Sequence, residues 1–351
     1  MPSSQPAGAR HRSGGGAGRW LIRLMALSLL GTALFLALSV LGLGGGLLTV
    51  GSDDGIHEQY HSLARQGVQK VAIITLEGTI LHGEGFVKKQ IDQIRKDDAV
   101  KAIVLRVNSP GGTVTASDYL YHHLKRLVEE RKLPLVVSMG GIAASGGYYV
   151  SMAVGDRPET IFAEPTTWTG SIGVVIPHYN VAGLMDKWQI EDDSIKSHRL
   201  KQMGTPTRVM TEEEREIFQG LVDDSFGRFK EIVKAGRPAF QGDDEALSKV
   251  ATGQVFTTRQ ALANGLVDKE GFIEDAIDRA IALAQLDKQD VKAVKYKRSA
   301  GLIDLLLSSA QSRTAPQGAT ADLALLLELA SPRAYYLCTW LPTAAVNRSA
   351  D

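Results

Sequence analysis

Ser145 stands in the run Gly140-Gly141-Ile142-Ala143-Ala144-Ser145-Gly146-Gly147-Tyr148-Tyr149, among residues too small to cover it. The apolar stretch Leu133-Pro134-Leu135-Val136-Val137-Ser138-Met139 before it predicts a buried strand, and residues 145–154 predict the helix that follows. A hydroxyl at that junction lies where unpaired N–H groups and the positive end of a helix dipole gather, which suits a nucleophile whose attack creates an oxyanion. A second corner of this kind lies upstream, where Ala102-Ile103-Val104-Leu105-Arg106-Val107 runs into Asn108-Ser109-Pro110-Gly111-Gly112 ahead of a helix predicted over 115–130. Adjacent glycines let backbone amides approach a reacting carbonyl. Paired with the amide of Gly146 they would form an oxyanion hole, worth about 3–4 kcal/mol per donor. Downstream, Lys196-Ser197-His198-Arg199-Leu200-Lys201 supplies two amines.

Four segments occur in a fixed order: Arg106-Val107-Asn108-Ser109-Pro110-Gly111-Gly112, Ala144-Ser145-Gly146-Gly147-Tyr148-Tyr149, Gly170-Ser171-Ile172-Gly173-Val174, and Lys196-Ser197 through Lys201. In that order the chain resembles the bacterial signal peptide peptidase A family, membrane-anchored serine proteases with a serine–lysine dyad. The likeness runs from about residue 71 to about residue 286 and thins beyond 297. It implies Ser145 as nucleophile, Lys201 as general base, Ser171 as the hydroxyl that orients the lysine, and Gly111, Gly112 and Gly146 as oxyanion donors. The family usually has glycine and an aromatic or small residue before its catalytic lysine. This chain has His198-Arg199-Leu200 and keeps the count, with Lys196 as the alternative base. A lysine accepts a proton from serine only when neutral, so such a base needs burial away from carboxylates. The resemblance further implies an α/β fold, the repeated ββα superhelix of Clp proteases and crotonases. With it come ring-forming subunits, signal-peptide remnants as substrates and no cofactor.

Each residue also has a bland reading. Ser145 and Ser171 fit ordinary turns, and Lys201 fits a solvated surface charge. The nucleophile elbow requires glycine two residues before and after its serine, and neither Ser145 nor Ser171 meets it. His82, His122, His123 and His178 could join a Ser-His-Asp triad, but none has a recognisable setting. His57-Glu58-Gln59-Tyr60-His61 matches the zinc-protease pattern, which needs both histidines on one helix face. Two further alternatives are a non-catalytic, ring-forming membrane scaffold and acyl-CoA chemistry of the crotonase type.

Lys plus Arg and Asp plus Glu both number 39, so there is no basic field to draw in nucleic acid. No glycine-rich loop ends in Gly-Lys-Ser/Thr to hold nucleotide phosphates. Residues 24–51 carry no ionisable side chain and predict a transmembrane helix. Arg10, Arg12, Arg19 and Arg23 precede it, which predicts a cytoplasmic N-terminus and an extracytoplasmic remainder in a bacterial inner membrane. Cys338 stands alone, so an intrachain disulfide is excluded.

These readings divide the chain into a basic tail (1–23), a span (24–51), a juxtamembrane segment (52–69), a peptidase domain (70–290) and a leucine-rich extension (291–351). Within the domain, strands are predicted over 71–76 and 171–176 and helices over 86–94 and 211–234. The last helix opens with the capping sequence Thr211-Glu212-Glu213-Glu214. Residues 260–268 read as helix, glycine cap and strand.

Overall fold

The computed structural model describes residues 55–298 and 334–337. The basic tail, the span expected at 24–51, Cys338 and most of the extension lie outside the described residues. Among the described residues no helix is long and apolar enough to cross a membrane.

Strand β1 (Ile56–Leu63) and strand β2 (Gln69–Glu77) lead to helix α1 (Phe86–Lys96), β3 (Val100–Ser109), the short β4 (Gly111–Thr113) and α2 (Val114–Arg131). Next come β5 (Leu135–Ala144), α3 (Gly146–Ser151), β6 (Ile161–Ala163), β7 (Trp168–Gly170) and α4 (Ala182–Lys187). The chain continues through α5 (Glu212–Gly236), α6 (Asp244–Val250), β8 (Val255–Thr257), α7 (Thr258–Ala263), β9 (Lys269–Glu270), α8 (Ile273–Leu283), β10 (Val291–Arg298) and β11 (Tyr335–Leu337). The main sheet has the order β1-β10-β2-β3-β5-β6-β9, and only β1 runs antiparallel to its neighbour along that path.

Central strands β2, β3 and β5 are nearly continuous apolar runs because both their faces are covered. Ala72, Ile74, Ile103 and Leu105 pack with Ile91 of α1 and Leu120 of α2. Val71, Ile73, Val104 and Val136 pack on the other face with Ala276, Ile277 and Ala280 of α8. This is the mixed α/β architecture expected. It fixes the C-terminal ends of β3 and β5 side by side, with Val107 opposite Met139 and Ser109 opposite Ala143.

The sheet takes in residues on both sides of 70–290. β10 lies between β1 and β2, and β1 occupies the stretch expected to be a juxtamembrane segment. That placement overturns the zinc reading of His57 and His61. Along a strand, residues four apart are separated by about 13 Å, too far to share one ion. Glu58 is engaged instead with Lys70 at 2.6 Å. The strand expected over 171–176 also does not form. Gly170 (φ +85°) and Ser171 (φ +51°) turn the chain out of extended geometry, and only Val175 makes a bridge.

Helix α5 begins with a capping box in which the Thr211 hydroxyl accepts from the Glu214 amide and the Glu214 carboxylate accepts from the Thr211 amide. Arg208 donates to the same carboxylate and holds its pKa down at about 2, against an ordinary value of 4.5. A depressed carboxyl stabilises the fold above its unfolded pKa, and that contribution disappears as pH falls through the folded value. Glu214→Gln is therefore expected to melt below wild type at pH 7, with the gap closing between pH 4.5 and pH 2 in thermal melts.

Candidate active site

β5 carries the chain straight to Ser145, which turns it into α3 with φ +53° and ψ −116°. A non-glycine residue in such a conformation costs about 1–3 kcal/mol and persists only where its surroundings enforce it. Here the Ser145 amide donates to Gly170 O at 2.8 Å, and its carbonyl accepts from Tyr149 N at 2.8 Å. The preceding strand is braced by Thr167, whose hydroxyl donates to Gly140 O, and by Thr169, whose hydroxyl donates to Ala143 O, each at 2.7 Å. Ser145 is 1% exposed, and its Oγ has no hydrogen-bond partner. A buried hydroxyl left unpaired costs about 1–3 kcal/mol, which a purely structural serine has no reason to bear.

The Gly-Gly corner meets it directly. Gly111 takes φ +100°, open only to glycine at low cost. A Cβ on Gly111 would lie 2.6 Å from Gly146 N and 3.0 Å from Ser145 Cβ, and one on Gly146 would lie 3.1 Å from Gly112 N and 2.4 Å from Ser117 Oγ. The two corners thus touch through backbone, with Ser145, Gly111, Gly112 and Gly146 in one place. The donors are not equivalent. Gly111 N–H donates to Ser109 Oγ at 3.1 Å, and that hydroxyl donates to Gly78 O at 2.6 Å. Gly146, as the first residue of α3, has no intrahelical acceptor for its amide. The Gly146 amide is therefore freer than that of Gly111 to receive an oxyanion.

Gly112 has no room for a side chain, since a Cβ would stand 1.9 Å from the Ile80 carbonyl oxygen. Gly112→Ala is expected to lower stability by roughly 2 kcal/mol or more through a backbone clash that no rotamer relieves. Chemical denaturation of the variant beside wild type measures it.

Ser171 follows the residue that receives the Ser145 amide, is 6% exposed, and donates its own amide to Gln254 O at 2.7 Å. Lys201 is not brought to this place. It lies on an exposed 3-10 turn, Arg199–Gln202, and its ammonium has no hydrogen bond or ion pair among the described residues. Lys196 donates to Gln202 on the same exposed segment. Around these lysines the chain exposes Tyr179, Leu184, Trp188, Ile190, Ile195 and Val209.

Two residues of the site escaped the sequence reading. Ser117 closes against Gly146. Asp118 accepts from Tyr149 Oη at 2.5 Å and from Arg228 at 3.2 Å. Burial, reinforced by the Asp118 bond, pushes the Tyr149 phenol well above its usual pKa. Their one sequence signal is position, in the first turns of the helix after Gly111-Gly112. Tyr148 is core: it is fully buried and donates to Leu266 O at 2.8 Å. Beyond Ser171 an open cavity of about 460 Å³ runs past Val175, Phe226 and Leu337, and a second of about 560 Å³ continues past Ile176, Tyr179 and Phe218.

Two family models match the chain. The model for peptidase family S49 covers residues 128–287, and that for Clp protease covers residues 59–167. A relative from Enterococcus faecium, named as a signal peptide peptidase SppA, is 36% identical over 59% of this chain and 58% of its own length. Protease 4 of Salmonella typhi is 34% identical over 68% of this chain and 38% of its own length, so the chain spans well under two thirds of both relatives. A Synechocystis sp. relative, named as a protease, is 38% identical over 64% of this chain and 78% of its own length. That coverage, around the glycine-lined serine corner, settles the family: the chain belongs to peptidase family S49.

Proposed function

We propose that the protein is a serine endopeptidase in which Ser145 forms an acyl-enzyme. The observation that carries this reading is the Ser145 hydroxyl, buried and unpartnered on a strained turn beside the Gly112 and Gly146 amides. Ser145 Oγ attacks the scissile carbonyl, the two amides hold the oxyanion, and the amine product leaves before water releases the acyl group.

Lys201 takes the serine proton. In the single chain it is exposed and away from Ser145, whereas a lysine base works in a dry setting. The apolar side chains exposed on the same segment call for a cover, and a second copy of the chain provides it. We therefore assign Lys201 to a neighbouring copy's site within a homo-oligomeric ring. The cavity beginning at Ser171 and the more apolar one past Ile176, Tyr179 and Phe218 suit extended peptides such as signal-peptide remnants. The span expected at 24–51 would anchor the site beside them in a bacterial inner membrane, on its extracytoplasmic side.

The test is hydrolysis of an apolar fluorogenic peptide by wild type, by Ser145→Ala, by Lys201→Ala and by a co-assembled mixture of the two variants. Activity in wild type alone, partly restored in the mixture, is the expected result. Full activity in Ser145→Ala overturns the nucleophile, and an inactive mixture that demonstrably co-assembles overturns the shared site.

A further inference from the structure

On its way to the nucleophile β5 carries two more residues than its neighbour. Val107 of β3 lies opposite Met139 and Ser109 opposite Ala143, so two steps along β3 match four along β5, and the extra pair is taken up as a bulge over 140–142. Side chains on a strand alternate with period two. An insertion of two residues therefore leaves every side chain on its own face and changes only its place along the strand, by about 6–7 Å. An unbulged β5 would carry Ser145 past the glycine corner by that distance. The bulge sets Ser145 level with it, where a Cβ on Gly111 would lie 3.0 Å from Ser145 Cβ. At the same point β5 changes its outer partner, from β6 along 137–139 to β7 along 142–144.

Side chains stand in for the ladder across the bulge. The Asn108 side-chain carbonyl accepts from Ile142 N at 3.2 Å, and the buried Thr167 hydroxyl donates to Gly140 O at 2.7 Å. The Arg106 guanidinium lies against Gly140, where a Cβ would stand 2.9 Å from its Nη2. It donates to Ser138 Oγ at 2.9 Å and to the Glu164 carboxylate at 2.6 Å, so one cation ties β3 through β5 to the residue after β6. Arg106 and Glu164 are only 23% and 21% exposed, a setting in which a charge-assisted hydrogen bond fixes position as well as adding attraction.

We propose that Asn108 and Arg106 are positioning residues of the reaction: they hold the two-residue bulge that stops β5 where Ser145 meets the glycine corner. Each acts through the backbone of β5 rather than on the reacting atoms. The inference rests on the reading of Ser145 given above and supplies the source of its alignment. A nucleophile displaced by about 1 Å loses up to about 100-fold in rate. The loss falls on kcat, because the groove that binds substrate is left in place.

The test measures, on the full chain, the rate constant of fluorophosphonate labelling together with kcat and KM for an apolar fluorogenic peptide. Asn108→Leu keeps the size and removes the acceptor, and is expected to lower kcat and the labelling rate together by about 10–100-fold with KM within about 2-fold of wild type. Asn108→Asp keeps an acceptor for Ile142 N and is expected to stay within about 3-fold of wild type on every measure. Arg106→Met is expected to repeat the loss seen with Asn108→Leu. A merely structural role lowers the melting temperature and leaves kcat of the folded chains unchanged. That result in Asn108→Leu and Arg106→Met overturns the inference, as does a loss that Asn108→Asp shares in full. Wild type that does not label at Ser145 removes the nucleophile and the inference with it, whereas equal labelling of wild type and variants removes the positioning role alone.

Discussion

Ser145→Ala is expected to lower peptide hydrolysis by about 10⁴-fold or more while leaving the melting temperature at or above that of wild type. The loss follows from the removal of the only atom in the account that bonds to the substrate. The unchanged or improved stability follows from the burial: wild type holds an unpaired hydroxyl at 1% exposure, and alanine removes that penalty without altering the backbone bonds to Gly170 and Tyr149. A structural serine predicts the reverse pair of results, with activity retained and stability lost. Initial rates and thermal melts on the same preparations distinguish them. The small residual rate comes from binding and the oxyanion donors, which the substitution leaves in place.

Lys201→Ala is expected to lower the rate by about 10²–10⁴-fold, the range for loss of a positioned base. Lys201→Arg should be no better than alanine, because a guanidinium does not give up its proton at working pH. Lys196→Ala should leave the rate nearly unchanged, since that amine is bonded to Gln202 on the same exposed segment. If Lys196→Ala carried the larger loss, the two lysines would exchange roles and the shared-site geometry would have to be rebuilt around Lys196.

The parts of the molecule that the sequence made legible are those whose signal is local. The apolar run ending at Met139 and the cluster of small residues after it defined a strand, a tight turn and a helix start, and Ser145 sits on that turn. Thr211-Glu212-Glu213-Glu214 likewise announced the start of α5, with both bonds of its capping box formed. What escaped was long-range. The 57–61 segment has helical histidine spacing, but the open edge of β10 recruits it as a strand. The β-branched run at 171–176 looks extended, yet two positive φ values at its start redirect it. β11 is three residues long and carries no periodicity. Its pairing depends on Gly111-Gly112 and Val175, far away in sequence. Lys201 shows the same limit in another form, because the resemblance names the residue and the fold of the single chain leaves it on an exposed turn.

The most direct measurement is labelling of the folded, full-length protein with a fluorophosphonate probe, followed by intact mass and peptide mapping, in wild type and in Ser145→Ala. One adduct per chain is expected, located on Ser145 and absent from the variant. An adduct on another residue, or equal labelling of Ser145→Ala, would contradict it.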